Sequence, residues 1–185
     1  AAAEAWLRGI ERRLDAGLDP NVGSVASLFV SRWDGAVADK VTADMKNRLG
    51  IAMAKRTYKA SLELLNSPRW QRVIKAGARP QRLLFASTGT KDPMASDILY
   101  VNALPAPDTV NTMPEATLLA LAGYDKIGPV LSADGGDSEQ VLSALMQAGI
   151  DLDALAARLQ EDGAKSFVRS WNELLAVITS KSKTL

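Results

Sequence analysis

The chain has 185 residues, 47% of them hydrophobic and 23% charged, which is enough apolar material to bury a core and excludes a disordered or fibrous polymer. Lys and Arg number 22 against 21 Asp and Glu, for a net charge of +1; with the basic residues spread along the chain, nothing resembles a nucleic-acid footprint. Cysteine and histidine are absent, which removes disulfides, Ser-His and Cys-His nucleophile pairs and His-based metal sites, and no apolar run nears the roughly 20 residues of a membrane helix.

The opening residues Ala1 to Trp6 read as the interior of a helix, with no capping residue and no methionine, and suggest a truncated chain. From Ala2 to Ala16 the apolar residues Trp6, Ile10 and Leu14 recur every four positions, with Gly17 placed as a helix-ending glycine. Val25 to Val30 is a β-rich run bounded by Gly23 and Asp34, too short for an ordinary helix, and is expected to be a buried strand. Helical material follows from about Val37 to Leu65, with Gly50 as a break. Ser67-Pro68 then starts a short helix, serine at the N-cap and proline at the first position.

Arg82 to Ser87 reads as a second strand. Ser96 is placed to cap a short helix through Leu104, which Pro105 and Pro107 end. A third, brief strand is expected over 109–112, and Thr112 to Glu115 fits a capping box for a helix through Ala122. The C-terminal part, 138–179, reads as three helices, Ser138 to Ala148, Leu152 to Glu161 and Ala164 to Thr179, closed in turn by Gly149 and Gly163. The polar tail Ser180 to Leu185 is expected to fray. Strands near 25–30, 82–87 and 109–112, separated by helices, imply parallel pairing through helical crossovers. Three strands are few for a closed parallel sheet, so the simplest expectation is one domain, 1–185, forming part of a barrel.

Chemistry in such folds gathers beyond the carboxyl ends of the strands. The second strand runs into Ser87-Thr-Gly-Thr-Lys91, a small polar loop with one glycine. This is no nucleotide P-loop: the first glycine of that motif is missing, and Asp92 stands where a hydroxyl is required. In the first strand Ser27, Phe29 and Ser31 alternate with Leu28 and Val30, so the two sets face opposite sides. Arg32, just past that strand, carries a planar fork of donors suited to phosphate. Asn111 and Thr112 are read as turn and capping residues near the pocket mouth. Trp33, Asp34 and the other tryptophans are read as packing residues.

The segments Ala26 to Asp34, Gln81 to Pro93, Tyr100-Val101 and Asp108 to Pro114, taken in order, resemble the C-terminal half of transaldolase, in the longer bacterial form sometimes fused to glucose-6-phosphate isomerase. Leu159 to Ile178 resembles that family's C-terminal helix. The resemblance implies the C-terminal part of a (β/α)8 TIM barrel of class I aldolase type. It also implies transfer of a dihydroxyacetone unit between sugar phosphates through a lysine Schiff base, in the pentose phosphate pathway, with no cofactor and no metal, while the composition makes the cytoplasm the default location expected. By the same resemblance Ser27 and Phe29 support the pocket, and Arg32 and Ser87 bind substrate phosphate; Lys91 is expected to take over the charge of a family arginine replaced here by Gly89.

A Schiff-base lysine needs a low-dielectric strand position to be neutral near pH 7. Only Lys91 borders a strand, and its loop suits a solvated ammonium. The isolated chain is therefore expected to be inactive and to self-associate or pair with a missing N-terminal half. The alternatives are another phosphate-binding α/β barrel enzyme and a non-catalytic helical interaction protein. No nucleic-acid or membrane partner is expected.

Overall fold

The computed structural model describes residues 2–183 and divides into two compact units that meet in sequence at Ala148 and Gly149. The first unit is built on a parallel sheet of order β1-β2-β3, with β1 Val25–Phe29, β2 Arg82–Ala86 and β3 Val110–Asn111. Around it run helices α1 (Ala2–Asp15), α2 (Val30–Gly35), α3 (Leu49–Leu65), α4 (Pro68–Lys75), α5 (Leu99–Ala103), α6 (Glu115–Ala122) and α7 (Ser138–Gln147). Among the described residues no helix is long and apolar enough to cross a membrane.

Each strand is shorter than its apolar run, and the reasons are local. Val30 already belongs to α2, so β1 passes into a helix without a loop. Ser87 takes a left-handed φ of 56°, a conformation that cannot continue a strand. Side chains alternate across the sheet as period-2 geometry requires. Leu28 packs against the core of Val30, Tyr58, Leu83, Phe85, Tyr100 and Leu104, which leaves Ser27 and Phe29 on the other face.

A second cluster, Leu7, Ile10, Trp70, Val73 and Ala78, joins α1 to α4, with Trp6 set edge-on to Trp70 at 5.4 Å. The Ser67-Pro68 start of α4 forms as expected, the serine hydroxyl accepting from Trp70 N at 3.3 Å. The long helix expected from Val37 does not: 36–48 is turns with a short 3-10 segment, Ala43–Met45, and the helix begins at Leu49 with Gly50 inside it. Thr112 makes no cap for α6, whose N-cap position is Pro114.

The second unit is α8, Leu152–Ser182, a single helix where two were expected. Asp151 caps it, accepting from Asp153 N and Ala154 N at 3.1 and 3.0 Å. Gly163 does not break it, and Glu161 pairs with Lys165 across the glycine at 2.6 Å. Ser180 to Ser182 continue the helix, and the expected frayed end at Thr184 and Leu185 lies outside the described residues.

Candidate functional site

The register Ser27↔Leu84 and Phe29↔Ala86 brings the carboxyl ends of β1 and β2 level. Past the strands the pairing continues: Ser31 N donates to Ser87 O at 3.1 Å, and the two side-chain hydroxyls lie 2.7 Å apart. Phe29 ends β1 and Arg32 lies in the helix that follows, so its guanidinium folds back over the ring, 4.4 Å from the centroid. A cation held on an aromatic face is restrained while its N–H fork stays free to meet an anion.

The loop after β2 is pinned at several points. Thr88 is wholly buried and shares its one hydroxyl proton between Asn111 Oδ1 and Thr112 O, both at 2.8 Å. Asn111 and Thr112 thus tie the loop to β3. Gly89 packs against the next element: a Cβ there would lie 2.8 Å from Pro114 Cγ. The close approach that this glycine permits is to Pro114.

Lys91 is exposed, and its neighbour Asp92 organises the turn. Asp92 accepts from Met94 N at 2.9 Å and from Asn47 Nδ2 at 2.7 Å. Those two donors, with Lys46 nearby, hold its carboxyl below the usual range. Lys91 shares a cavity of about 250 Å³ with Ser31, Asp34, Lys46, Asn47 and Tyr100.

The expected site residues therefore fall into groups. Phe29 and Arg32 are in contact, Ser87 is joined to Ser31, and Lys91 opens onto the cavity that Ser31 lines. Ser27 is exposed and borders a different cavity, of about 570 Å³, that β1 lines together with Leu83 of β2 and residues of α1, α3 and α4. Every lysine is exposed or half-buried, and none lies on a strand.

Asp34 is more than the packing residue that its position beside Trp33 suggests. Its residue is 6% exposed, and its carboxylate accepts from Leu49 N at 3.0 Å, Gly50 N at 3.1 Å and Tyr100 Oη at 2.9 Å. Burial pushes its carboxyl up, against the pull of those three donors. The same buried setting, with the carboxylate beside it, pushes the Tyr100 phenol up. No local signal in the sequence marks this role, because its three partners lie 15, 16 and 66 residues away.

Parallel strands with crossover helices, and polar groups gathered past their carboxyl ends, place the chain among α/β proteins whose sites lie at strand ends. The profile of the transaldolase/fructose-6-phosphate aldolase family matches residues 1–178, and the chain belongs to that family. Its fold is accordingly the expected one, a partial α/β barrel of the aldolase type. A transaldolase from Parafrankia sp. (strain EAN1pec) is 41% identical over 187 residues, covering 96% of this chain and 51% of the relative. One from Frankia alni is 40% identical over 190 residues, covering 98% and 51%. One from Saccharopolyspora erythraea is 42% identical over 182 residues, covering 95% and 50%. The chain spans about half the length of the curated relatives it matches.

Proposed function

We propose that the chain is the C-terminal half of a transaldolase, a transferase that moves a dihydroxyacetone unit between sugar phosphates through a lysine Schiff base. The observation that carries this reading is Arg32, stacked on Phe29 at the end of β1, in the helix whose Ser31 is joined through its hydroxyl to Ser87 at the end of β2. A planar guanidinium restrained on a ring face, with a hydroxyl at the neighbouring strand end, is chemistry suited to a phosphate monoester dianion. Arg32 and Ser87 hold that phosphate and Lys91 adds a cation at its edge, while Ser27 and Phe29 support the pocket nearer the reacting carbon. No cofactor or metal takes part, and the setting is the pentose phosphate pathway in the cytoplasm.

The reactive lysine belongs to the N-terminal half. A nucleophilic amine must be desolvated to be neutral near pH 7, and every lysine here is exposed or half-buried. The partner for that half is the outer edge of β1, where Val25 is 47% exposed and a cavity of about 570 Å³ runs beside Ala26, Ser27 and Leu28. An unpaired parallel edge is a template for another strand. In the absence of the N-terminal half, a second copy of the chain covers it.

Borohydride reduction in the presence of fructose 6-phosphate tests the reading. The full-length protein should be labelled on a lysine outside this chain and should transfer the three-carbon unit to erythrose 4-phosphate. The isolated 185-residue chain should remain unlabelled; covalent capture of the sugar by this chain alone would overturn the assignment.

A further inference from the structure

Arg32 is in α2, a helix of six residues with no side-chain cap at its start. So short a helix has little stability of its own, and its orientation must come from what grips it. One grip is Val30, buried completely at its first residue. Another is Asp34, one turn on, whose carboxylate takes the first two N–H groups of α3 and the Tyr100 hydroxyl. Those α3 donors have no partner within their own helix, so Asp34 supplies what a capping residue would and fastens α2 to α3 and α5 together. The fit is close: a Cβ on Gly50 would lie 2.5 Å from both Val30 O and Asp34 Oδ2.

We infer that Asp34 is a positioning residue: by clasping Leu49, Gly50 and Tyr100 it sets the rotation of α2 and keeps the Arg32 guanidinium over Phe29, aimed at the substrate phosphate. The phosphate role of Arg32 rests on the proposed function; the mechanical coupling does not. Asp34 lines the same cavity as Lys91, where a bare carboxylate would repel an incoming dianion. Three hydrogen bonds occupy its oxygens and direct them to α3 and α5. Asp34→Asn keeps the size but presents an NH2 group to donors, so at least one buried N–H loses its acceptor. Tyr100→Phe removes one donor and loosens the clasp to a smaller extent.

The test uses the full-length protein. Asp34→Asn should raise KM for fructose 6-phosphate by about tenfold, the scale on which small misplacements act, with kcat and the KM for unphosphorylated fructose within about twofold of the parent. Tyr100→Phe should shift in the same direction by less, and serves if Asp34→Asn fails to fold. In an Arg32→Ala background, Asp34→Asn should add nothing to the phosphorylated-substrate KM. The Arg32 side-chain N–H resonance, shifted upfield by the Phe29 ring in the parent, should return toward its free position in folded Asp34→Asn and Tyr100→Phe. Equal KM changes for the two substrates, or an unmoved Arg32 resonance in folded variants, would overturn the inference. A parent that does not turn over fructose 6-phosphate would instead sink the transaldolase reading, and the Arg32 resonance would decide the coupling alone.

Discussion

Ser31 Oγ lies 2.7 Å from Ser87 Oγ, a side-chain bridge between the ends of two neighbouring parallel strands that adds to the main-chain bond from Ser31 N to Ser87 O. Ser31 is buried and Ser87 has a φ of 56°, so the bridge holds a serine in a conformation that L-residues seldom adopt.

That arrangement orders three variants. Ser31→Ala leaves the Ser87 hydroxyl without its partner and should cost about 1 kcal/mol in urea unfolding. Ser87→Ala loses the same bond and keeps the backbone strain. Ser87→Gly loses the bond but relieves the strain, a gain of roughly 0.5–1 kcal/mol, and should come out closer to the parent than Ser87→Ala. Equal losses for alanine and glycine at 87 would show that the positive φ carries no cost there.

Gly50→Ala should destabilise, against the usual sign for a helix interior. Alanine is favoured over glycine in a helix by about 1 kcal/mol, yet here the new methyl would meet Val30 O and Asp34 Oδ2 at 2.5 Å. Overpacking of a rigid site costs typically 1–3 kcal/mol, and a main-chain carbonyl cannot swing away. The expected net loss is about 1–2 kcal/mol, read from the midpoint of chemical denaturation. A gain in stability would mean that α2 and α3 separate easily.

Local signals with one dominant cause were legible in the sequence. Ser67-Pro68 caps α4, and Gly17 and Gly149 adopt φ of 66° and 90° after their helices. Signals whose outcome depended on distant partners were not. Gly50 reads as a helix break until Asp34, sixteen residues back in sequence, supplies acceptors for the first turn of α3. Gly163 reads as a stop, but a penalty of about 1 kcal/mol is small beside a 31-residue helix that bridges it with Glu161 and Lys165. At the site, Arg32 and Ser87 come from the resemblance to transaldolase that the strand-end motifs carry, and Lys91 from its place in the loop after the second strand. Asp34 escaped because its role lies wholly in long-range bonds to Leu49, Gly50 and Tyr100.

The docking of α7 on α3 should weaken in acid. Lys55 pairs with Asp137 at 2.6 Å, and Arg56 grips both carboxylate oxygens of Glu139 at 2.7 and 2.5 Å. The hydrogen bonds from these cations hold both carboxyls below their usual values. A depressed carboxyl contributes stability above its unfolded pKa and loses it as pH falls through the folded value. The pairs are partly exposed, so Glu139→Gln should cost less than about 1 kcal/mol near neutral pH. The difference from the parent should shrink in acid and at high salt. Asp34 acts with the opposite sign: its raised carboxyl favours the folded state when protonated, and this contribution fades as pH rises through the folded value. Thermal midpoints for the parent, Glu139→Gln and Asp34→Asn across the acid range separate the two effects. A Glu139→Gln deficit that persisted unchanged into acid would show that the pairs do not hold α7.

Phe29→Leu isolates the stacking from the fold. Phe29 lies on the sheet face opposite Leu28 and outside the buried core cluster, and it is half-buried beneath the Arg32 guanidinium at 4.4 Å. Leucine keeps an apolar side chain at the end of β1 but offers no negative ring face. An exposed or partly exposed cation–π contact is worth about 0.5–1 kcal/mol, and each 1.4 kcal/mol is about tenfold in an equilibrium constant. In the full-length protein, Phe29→Leu should therefore raise KM for fructose 6-phosphate by about two- to fivefold. The unphosphorylated sugar should be affected less, because for it only the pocket support by Phe29 changes and not the restraint on the group that meets the phosphate. Arg32→Lys should produce a larger change than Phe29→Leu, since an ammonium surrenders the planar fork as well as much of the stacking. If Phe29→Leu impaired both sugars alike, pocket support would be the whole of the ring's role and the guanidinium would be held by other contacts.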